Sequence, residues 1–171
     1  MSVKRLPYAP LRAYKAFISL QRLGSAALTH HSNQQPPSRE AISAATHDID
    51  AAIALAGEEV AITSAKTLVC VAGTATTVAA AALGLSEYDR YSIHLARIPA
   101  QKVHDVAAMF QSMSRDEISA LGYMHPGRVD VITAGSLVLS RVLHATGARE
   151  FVASESDILD GIAWGLASEP R

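Results

Sequence analysis

Residues Leu68 to Thr77, Leu-Val-Cys-Val-Ala-Gly-Thr-Ala-Thr-Thr, constrain the fold of this chain more than any other stretch. An apolar run breaks at Gly73 into small hydroxyl residues, then continues into the alanine-rich Val78 to Leu83. The pattern predicts a buried strand over 67–72 that turns on a glycine into a helix over 76–83, closed by Gly84. Such a turn leaves backbone N–H groups free at a helix N-terminus, where they and the helix dipole favour an anion, often a phosphate. Taken alone, Gly73-Thr74 reads equally as a tight turn that caps a helix.

The flanking sequence predicts alternating helices and strands. Ser38 is a candidate N-cap. Beyond it Ile42, Ala45, Ile49, Ala52, Ile53 and Ala56 recur at helical spacing until Gly57. Residues 86–97, with Tyr88 and Tyr91, read as a loop. Pro99 is placed to open a helix over 100–112. Ser114 and Glu117 form a capping box for a short helix ending at Gly122. Met124 to Arg128 is a turn, and 129–143 becomes helical in its second half, with Gly147 as its stop. Residues 150–153 read as a short strand, and Ser154 or Ser156 as the cap of a last helix over 157–167. The order implies a small parallel α/β arrangement. Two strands are too few to shield this many helices, so the sheet is expected to lack strands. Residues 1–38 stand apart: Lys and Arg dominate their charge, and His30 to Ser38 is a loop by composition. Poor order is expected there, with a short helix over 11–20.

Composition narrows the functional classes. The chain has 171 residues, enough for one domain with a core, and is 49% hydrophobic and 18% charged. A net charge of −1 argues against a broad nucleic-acid surface or a polybasic membrane surface. The single cysteine, Cys70, excludes a disulfide framework and fits a reduced, cytoplasmic setting. Charged or polar residues interrupt every apolar stretch before it reaches membrane-spanning length. Residues 1–20 lack the continuous apolar region of a secretion signal.

Several side chains carry candidate chemistry. The backbone N–H groups from Gly73 through Thr74 and Ala75 to Thr76 could cradle a phosphate chain. Arg128, beside Pro126-Gly127, offers forked donors to phosphate oxygens at any working pH; its alternative is an ion pair with Asp130 or a neighbouring helix. Gly135 reads as a close approach of two backbones rather than a ligand contact. Ser154-Glu155-Ser156-Asp157 resembles helix capping, with Mg²⁺ contact through Glu155 or Asp157 the lesser alternative. The histidines, His125 included, show no metal-ligand spacing. Cys70 reads as a core residue rather than a nucleophile, and Trp164 as an anchor of the last helix to the core.

Four blocks in series resemble the C-terminal half of the exopolyphosphatase / guanosine pentaphosphate phosphohydrolase family. They are Val71-Ala72-Gly73-Thr74-Ala75-Thr76-Thr77; Tyr88-Asp89 through Ile93-His94 to Arg97-Ile98; Met124-His125-Pro126-Gly127-Arg128 through Ala134-Gly135; and Ser154-Glu155 through Asp157-Ile158-Leu159-Asp160-Gly161-Ile162-Ala163. The resemblance runs from about residue 38 to 167. It implies a partial ribonuclease-H-like domain of the actin-like and sugar-kinase ATPase superfamily, helix-rich with a small parallel sheet, in which the Gly73 turn faces a phosphate-binding cleft. It also implies removal of terminal phosphate from polyphosphate, or of the 5′ phosphate of guanosine pentaphosphate, by water and usually with Mg²⁺.

The family's Asp-Cys/Ile-Gly-Thr/Ser-Asn loop, catalytic glutamate and Asp-x-Gly-Gly-Gly-Ser-Thr-Glu loop are not found in this sequence, and no Mg²⁺ ligand set is evident. Residues 39–171 are therefore expected to form a partial second domain behind an atypical segment 1–38, as in a truncated gene product or one with a mis-called start. Such a chain is predicted to hold polyphosphate or another phosphate-rich anion weakly and to be inactive alone, needing a partner with the missing half. The competing reading is a non-catalytic remnant or anion-binding module that pairs with a second copy through an exposed sheet edge. A generic nucleotide-binding domain is the weakest reading, because no Gly-x-Gly-x-x-Gly or Walker loop is present.

Overall fold

The computed structural model describes residues 35–65 and 67–167. The short helix expected over 11–20 lies outside them, as does most of the segment expected to be poorly ordered. Ser38 caps the first helix, α1 (Arg39–Glu59), its hydroxyl accepting from the Ala41 N–H at 3.1 Å. Ala41, Ala45, Ile49, Ile53 and Ala56 form the buried stripe that helical spacing requires. The helix runs through Gly57 and stops two residues later, since this glycine keeps a right-handed conformation and closes nothing.

Strand β1 (Leu68–Val71) leads without a gap into α2 (Ala72–Leu83), which Gly84 ends in the left-handed conformation. The reversal from strand to helix is made at Ala72, with φ of 66°, and not at Gly73. A non-glycine residue in this region costs roughly 1–2 kcal/mol, so the surrounding packing holds the turn. Asp89 caps a single turn, α3 (Arg90–Ile93), and β2 (Arg97–Pro99) follows. Then come α4 (Ala100–Ser112), directly after Pro99, and α5 (Arg115–Ser119), opened by the complete Ser114–Glu117 capping box. A 3-10 turn at Pro126–Arg128 leads to α6 (Ile132–Thr146), closed by Gly147. Strand β3 (Glu150–Ser154) and α7 (Ile158–Ala167) complete the described residues. Neither Ser154 nor Ser156 caps α7; the Asp157 carboxylate does, accepting from the Leu159 N–H at 2.7 Å.

The three strands lie in the order β1-β3-β2. Strands β1 and β3 run parallel, with Cys70 opposite Ala153, whereas β2 pairs antiparallel to β3, with Ile98 opposite Phe151. The sheet is thus mixed, not all parallel, because a third strand, β2, forms at the junction between the segment read as a loop and the helix after Pro99. Helices α2 and α4 pack on the sheet and α6 packs on both of them; in this core Val78, Val103, Phe110, Ile132, Leu143 and Phe151 are fully buried. The alanines of α2, with Ala79 and Ala80 at zero exposure, let this helix lie close to the sheet and its neighbours. Helix α1 packs on the outside of α6 through Ala45, Ile49 and Ile53 against Ala134 and Leu137. A two-pronged ion pair, Arg141 to Asp50 at 2.7 and 2.8 Å, pins these helices together.

Among the described residues nothing covers the opposite side of β1, where Val69 and Val71 are exposed. Helix α7 also stands away from the core, and its Trp164 is 75% exposed. That reverses the expectation that Trp164 anchors the last helix. The apolar pattern of α7 is real, but the described core offers it no groove. No helix among the described residues is long and apolar enough to cross a membrane.

Candidate anion-binding site

Helix α2 begins with no side chain capping its N-terminus. Its first-turn N–H groups, at Ala72 to Ala75, have no intrahelical acceptor available apart from the strand's last carbonyl, and they carry the positive end of the helix dipole. Arg128 lies over this end. Its guanidinium fills the space beside Gly73 so completely that a Cβ at that position would overlap it. Glycine at 73 thus leaves the room that the guanidinium occupies, and any side chain there would displace it, while the unusual backbone angle falls on the preceding alanine. The alternative of an Arg128–Asp130 ion pair is not realised, since Asp130 pairs with Arg115 at 2.7 Å. Among the described residues no carboxylate forms an ion pair with Arg128.

Gly73, Thr76 and Arg128 line one cavity of about 480 Å³, together with Thr77, Tyr88 and the 122–126 turn. Thr76 is buried and donates to the Gly73 carbonyl at 3.4 Å. Thr74 and Ala75 direct their side chains elsewhere. Thr74 packs against Gly135 of α6, where a Cβ would fall 2.7 Å from the threonine methyl, so the two helices meet at their small residues. This is the close backbone approach expected at Gly135. The Ala75 methyl is buried in the core. These two residues can serve an anion only through the backbone of the first turn. His125 also lines the cavity, but its Nδ1 accepts from the Gly127 N–H at 3.1 Å and shapes the turn.

Tyr88, expected only as part of a loop, is a further residue of the cavity wall. Its hydroxyl donates to Glu155 Oε1 at 2.6 Å. Burial and that carboxylate push the phenol's pKa up, with Thr76 and the Arg128 charge acting in the opposite direction. Glu155 is tied down from its backbone as well, its N–H donating to His94 Nδ1 at 3.1 Å. Tyr88-Asp89 already stood in one of the sequence blocks, but nothing in their spacing showed which way the phenol would turn. Cys70 is partly buried and packs against the core: burial pushes its thiol up to about 12, which suppresses the thiolate.

The cavity is thus a concave surface of donors at a helix start. Its lining contains no carboxylate, and the described residues hold no group of three or more His, Cys, Asp or Glu placed to share a metal ion. A model of the Ppx/GppA phosphatase family matches residues 12–168. The chain belongs to that family. The match begins well before residue 38, the start expected for the resemblance. Exopolyphosphatase 2 of Mycobacterium tuberculosis is 38% identical over 159 residues, which is 91% of this chain and 49% of that protein. A crystal structure of an exopolyphosphatase-like protein superposes with a TM-score of 0.78 at 34% identity, over 84% of this chain and 48% of the other. The Aquifex aeolicus PPX-GPPA enzyme gives a TM-score of 0.72 at 20% identity, over 88% and 46%; that likeness concerns the fold alone. The chain spans about half the length of the curated relatives it matches. Its architecture is accordingly the helix-rich α/β fold of the Ppx/GppA proteins, over about half of their length.

Proposed function

We propose that this chain forms the phosphate-holding wall of a hydrolase site that removes terminal phosphate from inorganic polyphosphate, or the 5′ phosphate of guanosine pentaphosphate, with water as nucleophile. The observation that carries this reading is Arg128 lying across Gly73 at the uncapped start of α2. A guanidinium and a first turn of N–H groups, fixed in advance, suit the negative charge that a transferring phosphoryl group carries. Family membership and the exopolyphosphatase relative support the substrate class.

Hydrolysis also needs a base to activate water. No carboxylate lines this cavity, so the base must come from beyond the described wall. The cavity is equally unsuited to holding Mg²⁺ through protein ligands, because the ion favours one or two carboxylates together with substrate oxygens. The chain alone is therefore expected to turn over polyphosphate negligibly. Phosphate release from polyphosphate in the presence of Mg²⁺ tests this directly, and a rate typical of an intact enzyme would sink it.

A second reading has its own support. Among the described residues the apolar side chains of α7 are exposed, with Ile158 at 72% and Leu166 at 70%, and β1 lies at the edge of the sheet with two exposed valines. Surfaces of this kind mark association sites. A second copy, or a chain carrying the remaining half of a family protein, fits them. Sedimentation mass across a concentration series separates a self-pairing module from a monomer.

A further inference from the structure

Most groups around the start of α2 give hydrogen bonds: the free N–H groups of the first turn and the guanidinium of Arg128. Tyr88 is turned the other way. Its single hydroxyl hydrogen is committed to Glu155 at 2.6 Å. The phenol lines the cavity beside Thr76 and Arg128; its oxygen takes a hydrogen bond from Thr76 and keeps one further lone pair, with the Glu155 carboxylate behind it. The His94 bond to the Glu155 N–H fixes the backbone that carries this carboxylate.

An acceptor in an anion site discriminates among anions. A fully ionised phosphoryl oxygen placed against Tyr88 would set lone pair against lone pair, whereas a phosphoryl hydroxyl would donate into it. In a phosphate chain only the end groups retain a weakly acidic hydroxyl, with a second ionisation near pH 6 for phosphate monoesters. Internal groups have lost their only proton. We propose that Tyr88 and Glu155 form a specificity-determining pair that recognises the proton-bearing end of a phosphate chain and disfavours its interior. This rests on the reading of the cavity as a phosphate site.

The probes are linear tripolyphosphate, which has two chain ends, and cyclic trimetaphosphate, which has none. Calorimetric titration of the full 171-residue chain near pH 6 compares them for the wild type, Glu155→Gln, Tyr88→Phe and Arg128→Ala. The wild type is expected to favour the linear ligand. In Glu155→Gln and Tyr88→Phe that preference narrows at least fivefold, while trimetaphosphate binding holds or strengthens. Retained binding of the cyclic ligand also shows that the variants are folded. Arg128→Ala weakens both ligands. An unchanged preference in Glu155→Gln and Tyr88→Phe, with both ligands still weakened by Arg128→Ala, overturns the end-recognition proposal alone. If the wild type binds neither ligand, or Arg128→Ala changes nothing, the phosphate-site reading falls and takes this proposal with it.

Discussion

Arg128 occupies the space that any residue other than glycine at position 73 would fill with its own side chain. The two positions are far apart in sequence, and the contact joins the β1–α2 turn to the Pro126–Arg128 turn. It holds a permanent cation against the positive end of a helix dipole, an arrangement that a bound anion would relieve.

Gly73→Ala should mimic the loss of Arg128. The new methyl expels the guanidinium, so binding of tripolyphosphate is expected to fall by about tenfold, as for removal of a charge-assisted hydrogen bond. Combining it with Arg128→Ala should add little, since both substitutions break one interaction. Full additivity in titrations of the double variant would show that the two residues act independently.

Gly135→Ala probes packing rather than binding. Its Cβ would meet the Thr74 side chain at 2.7 Å, and overpacking of this kind costs roughly 1–3 kcal/mol. Urea unfolding should record that loss, and much of it should disappear when Thr74→Ala is added. Equal losses with and without the threonine would mean that the strain lies elsewhere.

Much of this architecture is written locally in the chain. Ser38, the Ser114–Glu117 box, Pro99, Gly84 and Gly147 each act within a few residues of their own position, and each marks its helix end as expected. Strand β2 was not legible. It has three residues, one of them a proline, and exists because Ala96 and Leu95 hydrogen-bond to Ala153, far along the chain. The turn on a glycine was misplaced by one residue, to Gly73 instead of Ala72, and the room that Gly73 leaves for Arg128, 55 positions away, has no local signal. Tyr88 was missed because its function depends on Glu155. Trp164 misled because an apolar helix pattern shows that a face seeks cover, and not what supplies it.

Cys70 links its burial to pH. Its thiol is pushed up to about 12 in the folded chain, against about 8.5 for a free cysteine. Between those values the unfolded chain loses a proton that the folded chain keeps, so stability falls as pH rises above about 8.5. The full contribution is present below that pH. Urea midpoints from pH 8 to 10 should decline more steeply for the wild type than for Cys70→Ala, and parallel slopes would contradict the assignment. Alkylation at pH 8 should be slow until denaturant is added.

Trp164 is the single tryptophan, so its fluorescence reports on α7 alone. At low protein concentration the side chain, 75% exposed, should be open to quenching by iodide. If α7 is the pairing surface, emission shifts to the blue as concentration rises, and Ile162→Asp abolishes the shift. A constant spectrum alongside rising sedimentation mass would place the pairing surface elsewhere, with the edge of β1 the next to test.

The central claim, that the start of α2 and Arg128 together hold phosphate, is tested most directly by calorimetric titration of tripolyphosphate into the wild type and Arg128→Ala at low ionic strength. The account predicts saturable one-site binding by the wild type that weakens by about tenfold or more when the arginine is removed. Equal affinity in the two proteins, or no saturable binding by the wild type, would contradict it.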